Sequence, residues 1–330
     1  MTKAEKGPAS PPDYDPGWIQ DLRSVSDWLR FSVSEMRRSD CVLGQGCLSW
    51  LDEARWLVFS SLSLPIDLNE PSFELAQLTE KERHRLAVAL ARRTVGREPT
   101  AYILQEAWLR GFRFKSDARA IIPRSFLAEW LSPLNLPAIQ DSDAPVKVLD
   151  LCTGSGCLAI LAALALPNAT VWATDISADA LSLARENIQD YGLQSRIQLL
   201  QGDGLQALDT LKPKPAFDLI LCNPPYVNTA SYLQLPPEFK AEPGLAHHGG
   251  EDGMQFIEEL LKGYGALLAK EGRLLLEMGH ERSAFNRLID RDFRQLPVTW
   301  LETESGEQSV VSLEGLRNKD YCSVPFARTA

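Results

Sequence analysis

The sequence is short of what would tie it to a metal, a membrane or a polyanion. It has 4 histidines and 6 cysteines in 330 residues. The cysteines (Cys41, Cys47, Cys152, Cys157, Cys222, Cys322) are scattered, with no C-x-x-C pair and no histidine at metal-ligand spacing, so no zinc ribbon or finger is expected and no metal site. They read as reduced, mainly buried thiols of a cytosolic protein. Positive charge is in deficit: 34 Lys and Arg stand against 44 Asp and Glu, a net charge of −10. A protein held on nucleic acid by phosphate contacts needs the opposite balance, so direct nucleic-acid binding is not expected. A local basic patch or a basic protein partner stays compatible with that charge. The longest continuous apolar stretch, over 157–166, is too short to span a bilayer, and the first residues are polar and Pro-rich, unlike a secretory signal. A soluble, cytoplasmic protein is the expectation.

What is present is ordinary globular material, 45% hydrophobic and 24% charged, enough for one large or two medium domains. Residues 1–17 are rich in Pro, Gly, Ser and charge and predict a disordered tail. From 18 to 98 the periodicity is helical. Ile19, Leu22, Val25, Trp28, Leu29 and Val33 recur at three- and four-residue steps. A second helix begins around Asp52-Glu53-Ala54 and is stopped by Pro65, and Thr79 with Glu82 has capping-box spacing. This predicts a small helical domain that would present a substrate. Residues 99–144 read as a β-hairpin and linker, with strands at Tyr102-Ile103-Leu104 and over 108–114, and a domain boundary in the Pro- and Asp-bearing stretch 135–145.

Beyond Pro145 the pattern alternates. Strands are predicted at 146–151, 170–174, 197–200, 217–222 and 273–278, and helices at 157–165, 178–190, 254–268 and 281–289. This is the signature of an α/β domain over 145–317 with a mostly parallel sheet covered on both faces. The segments 298–302 and 308–313 lack a helix between them and predict a C-terminal antiparallel pair. Residues 318–330 form a C-terminal tail.

Two stretches carry chemistry. The strand ending Asp150-Leu151-Cys152 runs into Thr153-Gly154-Ser155-Gly156, a turn whose glycines let backbone approach a ligand. A pyrophosphate loop would read G-x-G-x-x-G, and here Ala159 stands at the last position; the Gly-Lys-Ser/Thr of a P-loop is absent as well. Asp175 ends the second strand about 20 residues on, where a carboxylate reaches ribose hydroxyls in this topology, and Asp203-Gly204 ends the third. Each aspartate alone is equally a turn or cap residue. Together with the glycine loop they form an acidic rim suited to a cofactor with a ribose, an adenine amine and a positive charge but no phosphate, which S-adenosylmethionine is. The second stretch is Leu219-Ile220-Leu221-Cys222-Asn223-Pro224-Pro225-Tyr226. Proline has no N–H for the ladder, so a buried strand must stop at Asn223. That leaves an amide, a stiff carbonyl-bearing turn and an aromatic ring at the ligand-binding edge of the sheet.

With the acid-rimmed loop followed by Asn223-Pro224-Pro225-Tyr226, the chain resembles the class I, Rossmann-like methyltransferases that act on planar amines. Ile122-Pro123-Arg124-Ser125, Leu235-Pro236-Pro237-Glu238-Phe239, Glu242-Pro243 and Gly250-Glu251-Asp252-Gly253 are similar to segments of the bacterial protein N(5)-glutamine methyltransferases. That family modifies either a large-subunit ribosomal protein (L-three) or peptide-chain release factors. Asp27-Trp28-Leu29-Arg30-Phe31, Asp52-Glu53-Ala54, Pro123-Arg124-Ser125 and Trp300-Leu301-Glu302 resemble the ribosomal branch more closely. The resemblance runs from about residue 18 to 316. Three positions depart from it: Gln45 stands where the family has His, Phe126 where proline usually follows Pro-Arg-Ser, and Gly204 where a bulky apolar residue commonly follows the aspartate.

The resemblance implies an enzyme in which Asp150, Thr153, Gly154, Ser155, Gly156, Asp175, Ile176, Asp203, Gly204 and Asn223 hold S-adenosylmethionine. Asn223 and Pro224 would accept the two N–H bonds of a glutamine amide, Tyr226 would stack on it, and Pro225 would stiffen the turn. Arg124 and Glu129 would orient the loop or the substrate backbone. His247 and His248 invite a general-base reading, although paired histidines beside Gly249-Gly250 are as readily plain loop. The other acceptors are a release-factor glutamine and a nucleic-acid adenine amine, and a catalytically idle cofactor-binding scaffold is a further alternative.

Overall fold

The computed structural model describes residues 17–131 and 144–314. The expected tails over 1–17 and 318–330 lie outside the described residues apart from Gly17, as does most of the 135–145 boundary stretch. The chain divides into two compact units: residues 1–106 with 236–241, and 107–235 with 242–330.

The first unit is helical. Helix α1 (Val25–Arg38) starts where the Ser24 hydroxyl accepts the Asp27 N–H and the Asp27 carboxylate accepts the Ser24 N–H, so the orphan donors of the first turn are satisfied reciprocally. Helix α2 (Trp50–Ser61) is capped by Ser49, and α3 (Glu80–Thr94) by the Thr79–Glu82 box. The apolar faces of the three helices meet at Trp28, Leu57, Phe59, Leu86 and Leu90, all nearly inaccessible. Each such side chain stabilises the fold by about 1.5–3 kcal/mol. Tyr102-Ile103-Leu104 is not a strand but part of a short helix (Thr100–Leu104), ended by Gln105 in the left-handed region (φ 56°). The hairpin instead folds within the second expected strand, β1 (Glu106–Leu109) pairing β2 (Phe112–Lys115). Three apolar residues after Thr-Ala are too few to reveal a period, and Arg110-Gly111, both at positive φ, supply the turn.

Although distant in sequence, Pro236–Ala241 belongs to this helical unit. Its Glu238, fully buried, accepts from Arg93 at 2.9 Å and Arg97 at 2.7 Å, and Arg93 also reaches Glu53 at 2.6 Å. Burial works against the Glu238 carboxylate, but the two guanidiniums outweigh it and hold it down at about 2.

The second unit is built on a seven-stranded sheet. Its strands are β3 (Val146–Leu151), β4 (Ala169–Asp175), β5 (Ile197–Gln201), β6 (Phe217–Cys222), β7 (Leu268–Glu277), β8 (Val298–Leu301) and β9 (Val310–Glu314), in spatial order β5-β4-β3-β6-β7-β9-β8. The first five are parallel, and β9 pairs antiparallel with β7 and β8, as the alternation predicted. Strand alternation sorts the core into two layers. Val148, Leu219, Leu221 and Leu275 pack beneath α4 (Cys157–Ala165). Leu149, Leu151, Ile220, Cys222, Leu274 and Leu276 pack against α6 (Gln255–Gly263) and α7 (Arg282–Asp292). Helix α5 (Ala178–Asp190) flanks β4 and β5, capped by Ser177. The single helix expected over 254–268 ends at Gly263; a 3-10 turn follows and Leu268 already opens β7. The run Leu260–Leu268 carries Lys262, Gly263 and Gly265 among its apolar residues and shows no clean period, so its pairing decides its state.

Chain order reverses between β3 and β6: β4 and β5 lie on one side, β7 on the other. In open α/β sheets that switch point opens a crevice at the C-terminal strand ends. Among the described residues no helix is long and apolar enough to cross a membrane.

Candidate active site

A cavity of about 210 Å³ occupies that crevice. One side is the glycine loop. Asp150 is wholly buried at the end of β3, where its Oδ2 accepts the Thr153 hydroxyl at 2.5 Å and the Ala159 N–H at 3.0 Å. Burial pushes its carboxyl up to about 7, against the pull of those two donors. Its Oδ1 has no protein partner. Asp150 thus fixes the loop from below, and it is not itself among the residues lining the cavity. Asp175 also ties the loop: its Oδ2 accepts the Gly154 N–H at 2.9 Å and its Oδ1 the Ser177 N–H at 2.9 Å. Burial raises its carboxyl as well. Thr153, Gly154 and Ser155 line the cavity together with Asp175, Ile176, Asp203 and Gly204. Gly156 lies behind, capping α4 in the left-handed region.

The facing side is Asn223–Tyr226. β6 ends at Cys222 and pairs level with β3, Cys222 opposite Leu151, so Asn223 emerges beside the glycine loop. Asn223, Pro224, Pro225 and Tyr226 all line the cavity. Their backbone is held from behind by 247–253. Val227 N–H donates to the His247 carbonyl at 2.9 Å, and Gly249 N–H to the Val227 carbonyl at 2.9 Å. A Cβ on Gly249 would lie 2.5 Å from the Pro225 carbonyl oxygen, and one on Gly253 only 2.1 Å from that of Tyr226. Gly253 also sits at φ +80°. The Gly249-Gly250-Glu251-Asp252-Gly253 run is therefore the packing surface for the Asn-Pro-Pro-Tyr turn.

Arg124 lines the cavity but its guanidinium is engaged. It grips Glu242 in a bidentate pair at 2.5 and 2.7 Å, and Glu242 also accepts the Ile122 N–H at 3.2 Å and lies 2.7 Å from His247 Nε2. Burial opposes the Glu242 charge, but Arg124 and His247 outweigh it and hold the carboxyl below its usual range. Arg124 thus ties 122–125 to 242–247 through Glu242. Glu129 is not in the cavity; it accepts the Glu304 N–H at 2.7 Å. His248 pairs with Thr229 at 2.9 Å, also away from the cavity lining.

Residues 132–235 match the family profile described as the methyltransferase small domain. Three relatives are named ribosomal protein uL3 glutamine methyltransferase. One from Bordetella pertussis is 43% identical over 294 residues, covering 89% of this chain and 96% of its own. One from Burkholderia pseudomallei is 41% identical over 292 residues, covering 88% and 94%. A third, from Bradyrhizobium diazoefficiens, is 38% identical over 296 residues, covering 88% and 90%. The chain belongs to the ribosomal protein uL3 glutamine methyltransferase family.

Its departures from the family pattern have physical readings. Where this methyltransferase has Gly204, a Cβ would lie 3.2 Å from the Phe256 ring; an aromatic side chain from α6 takes the space a larger residue at 204 would fill, and lines the cavity. Gln45 donates from Nε2 to the Glu238 carbonyl at 3.2 Å. Phe126, unlike proline, has an N–H, and that group favours the charged form of the Glu277 carboxyl. Glu277 was not singled out by its sequence context. It ends β7, is 3% exposed, lines the cavity and accepts the Ser125 hydroxyl, whose oxygen in turn accepts the Leu127 N–H at 3.2 Å. The Tyr226 phenol lies 3.4 Å from its Oε1. Burial pushes the Glu277 carboxyl up to about 7, and burial together with that carboxylate raises the phenol well above its ordinary range. Among the described residues no cluster of His, Cys, Asp and Glu has metal-binding geometry.

Proposed function

We propose that this enzyme methylates the side-chain amide nitrogen of a glutamine in the large-subunit ribosomal protein uL3, in the cytoplasm, with S-adenosylmethionine as donor. The observation that carries the reading is that Asn223–Tyr226 and the glycine loop line one cavity across the β3/β6 switch point. The residues fit the donor: the loop over 153–155, held from below by Asp150, and the side chains of Asp175, Ile176, Asp203 and Phe256 offer polar partners and an aromatic wall without a phosphate cradle. When bound, the sulfonium supplies an electrophilic methyl group.

The protein's own task is to make a poor nucleophile reactive. An amide lone pair is delocalised into its carbonyl, so the NH₂ must be held with that pair aimed at the methyl. The Asn223 side-chain oxygen and the Pro224 carbonyl accept the two N–H bonds and favour the positive charge that develops on nitrogen. Tyr226 stacks on the amide plane and Pro225 keeps the turn stiff. Orientation of this kind supplies several kcal/mol, within the roughly 7–11 kcal/mol available from positioning.

The test is incubation of purified protein and labelled donor with uL3, release factors and adenine-bearing RNA, read by peptide and nucleoside mass spectrometry. One methyl on a uL3 glutamine is expected, and loss of turnover with retained donor binding in Asn223→Ala. Methylation of release factors alone would move the substrate. Methylation of adenine alone would overturn the reading.

A further inference from the structure

Glu277 has no part in the mechanism above, yet it lines the cavity and its hydrogen-bond partners come from elements that line it too. Register places it there: Cys222 pairs with Leu276 across β6 and β7, so Glu277 lies level with Asn223 on the neighbouring strand. Its donors are the Ser125 hydroxyl and the Tyr226 phenol at 3.4 Å, and the N–H groups of Phe126 and Leu127 favour its charged form. Gly279, two residues on, leaves room for the Tyr226 ring; a Cβ there would lie 2.6 Å from its Cε2. The ring is thus held at its hydroxyl by Glu277 and along one edge by the bare backbone of Gly279.

We propose that Glu277 is a positioning residue for methyl transfer, acting through the Tyr226 hydroxyl to hold that ring over the end of β6. The proposal rests on the functional reading above. Once ionised, above about 7, the carboxylate suits the task, because hydrogen bonds to ionised groups are roughly twice as strong as neutral ones. The surrounding charges set its limits: Arg124 from the 122–125 connector favours the carboxylate, while Cys222 on β6 and Glu281 at the start of α7 are the other titratable groups facing this pair.

The experiment is a double-mutant cycle of Tyr226→Phe and Glu277→Gln, with kcat and the KM for each substrate, alongside a carbon-13 titration of the Glu277 carboxyl in the wild type and in Tyr226→Phe. Tyr226→Phe should lower kcat about tenfold, the size of one hydrogen bond, with an unchanged KM for the donor. Glu277→Gln should add nothing to it in the double variant. The Glu277 midpoint should rise when the phenol donor is removed. Wild-type kcat in Tyr226→Phe, additive losses in the cycle, or an unmoved Glu277 midpoint would each overturn the proposal. The titration needs no turnover, so it decides between wild type and variant even if no glutamine substrate is methylated, an outcome that would instead sink the functional reading. If Glu277→Gln fails to fold, Tyr226→Phe and the titration still decide.

Discussion

Replacing Gly253 by alanine attacks the catalytic turn from behind, without substituting any residue that lines the cavity. The new Cβ would lie 2.1 Å from the Tyr226 carbonyl oxygen and 3.1 Å from its carbonyl carbon. Ordinary contact begins near 3.4 Å, so one backbone must retreat by about 1.3 Å, and neither is the end of a flexible side chain. The turn that moves carries Asn223 to Tyr226, and a misplacement of about 1 Å costs on the order of a hundredfold in rate. The φ of +80° adds roughly 1–2 kcal/mol of strain in the folded state. Gly192→Ala is the matched control: φ is +66° but a Cβ meets nothing within 4 Å, so it pays the strain alone. Single-turnover kinetics at saturating donor, calorimetric donor binding and urea unfolding separate the terms. Both variants should lose stability, both should bind donor, and only Gly253→Ala should lose about a hundredfold in rate. A Gly253→Ala rate within threefold of wild type, with stability lowered as in the control, would refute the claim that this glycine sets the position of the turn.

Arg124→Met leaves the buried Glu242 carboxylate without its bidentate guanidinium, which costs about 3–5 kcal/mol at neutral pH. Because the folded Glu242 carboxyl is held low, the wild-type advantage is present above the unfolded value and lost as pH falls through the folded one. Urea unfolding across acid pH should therefore show the two proteins converging. Asp150→Asn should act in the opposite sense. The wild-type carboxyl is pushed up to about 7, so ionising it costs stability progressively from the unfolded value near 4 up to about 7. The variant should escape that cost and become more stable than wild type by roughly 2–4 kcal/mol at pH 8, while binding donor more weakly; the same unfolding series plus calorimetry checks both. Phe256→Ala removes the aromatic wall beside Gly204 and should weaken donor binding about 10- to 100-fold, the range for stacking on a base.

Local chemistry made much of this protein legible from its sequence. Strand β6 ends where Pro224 and Pro225 remove two donors in succession, and no tertiary context can restore them. Helices α4 and α5 start and stop as expected because their caps and lengths are written within a few residues. The two capping boxes of the helical unit are equally local. The glycine loop, Asp175 and Asp203 could be placed on one rim because parallel strands all end on the same side.

Pairing across long separations was not legible. Glu277 meets Ser125 over 152 residues and Glu242 meets Arg124 over 118; nothing in the flanking residues marks Glu277, and the Glu242-Pro243 pair does not say which arginine it meets. The assignment of 236–241 to the helical unit depends on the Glu238–Arg93 pair, 145 positions apart. Phe256 gained its place beside Gly204 only when α6 packed on the sheet. The misplaced strand at Tyr102–Leu104 and the overlong helix through Leu268 have one cause: a short apolar run without a period adopts whichever state its neighbours in space complete. The sequence alone therefore determined which groups the chain brings to the strand ends, since donors, caps and turns are decided within a few bonds. Only the tertiary structure decided what holds those groups still, because a buried charge or a ring finds its partner by proximity in space.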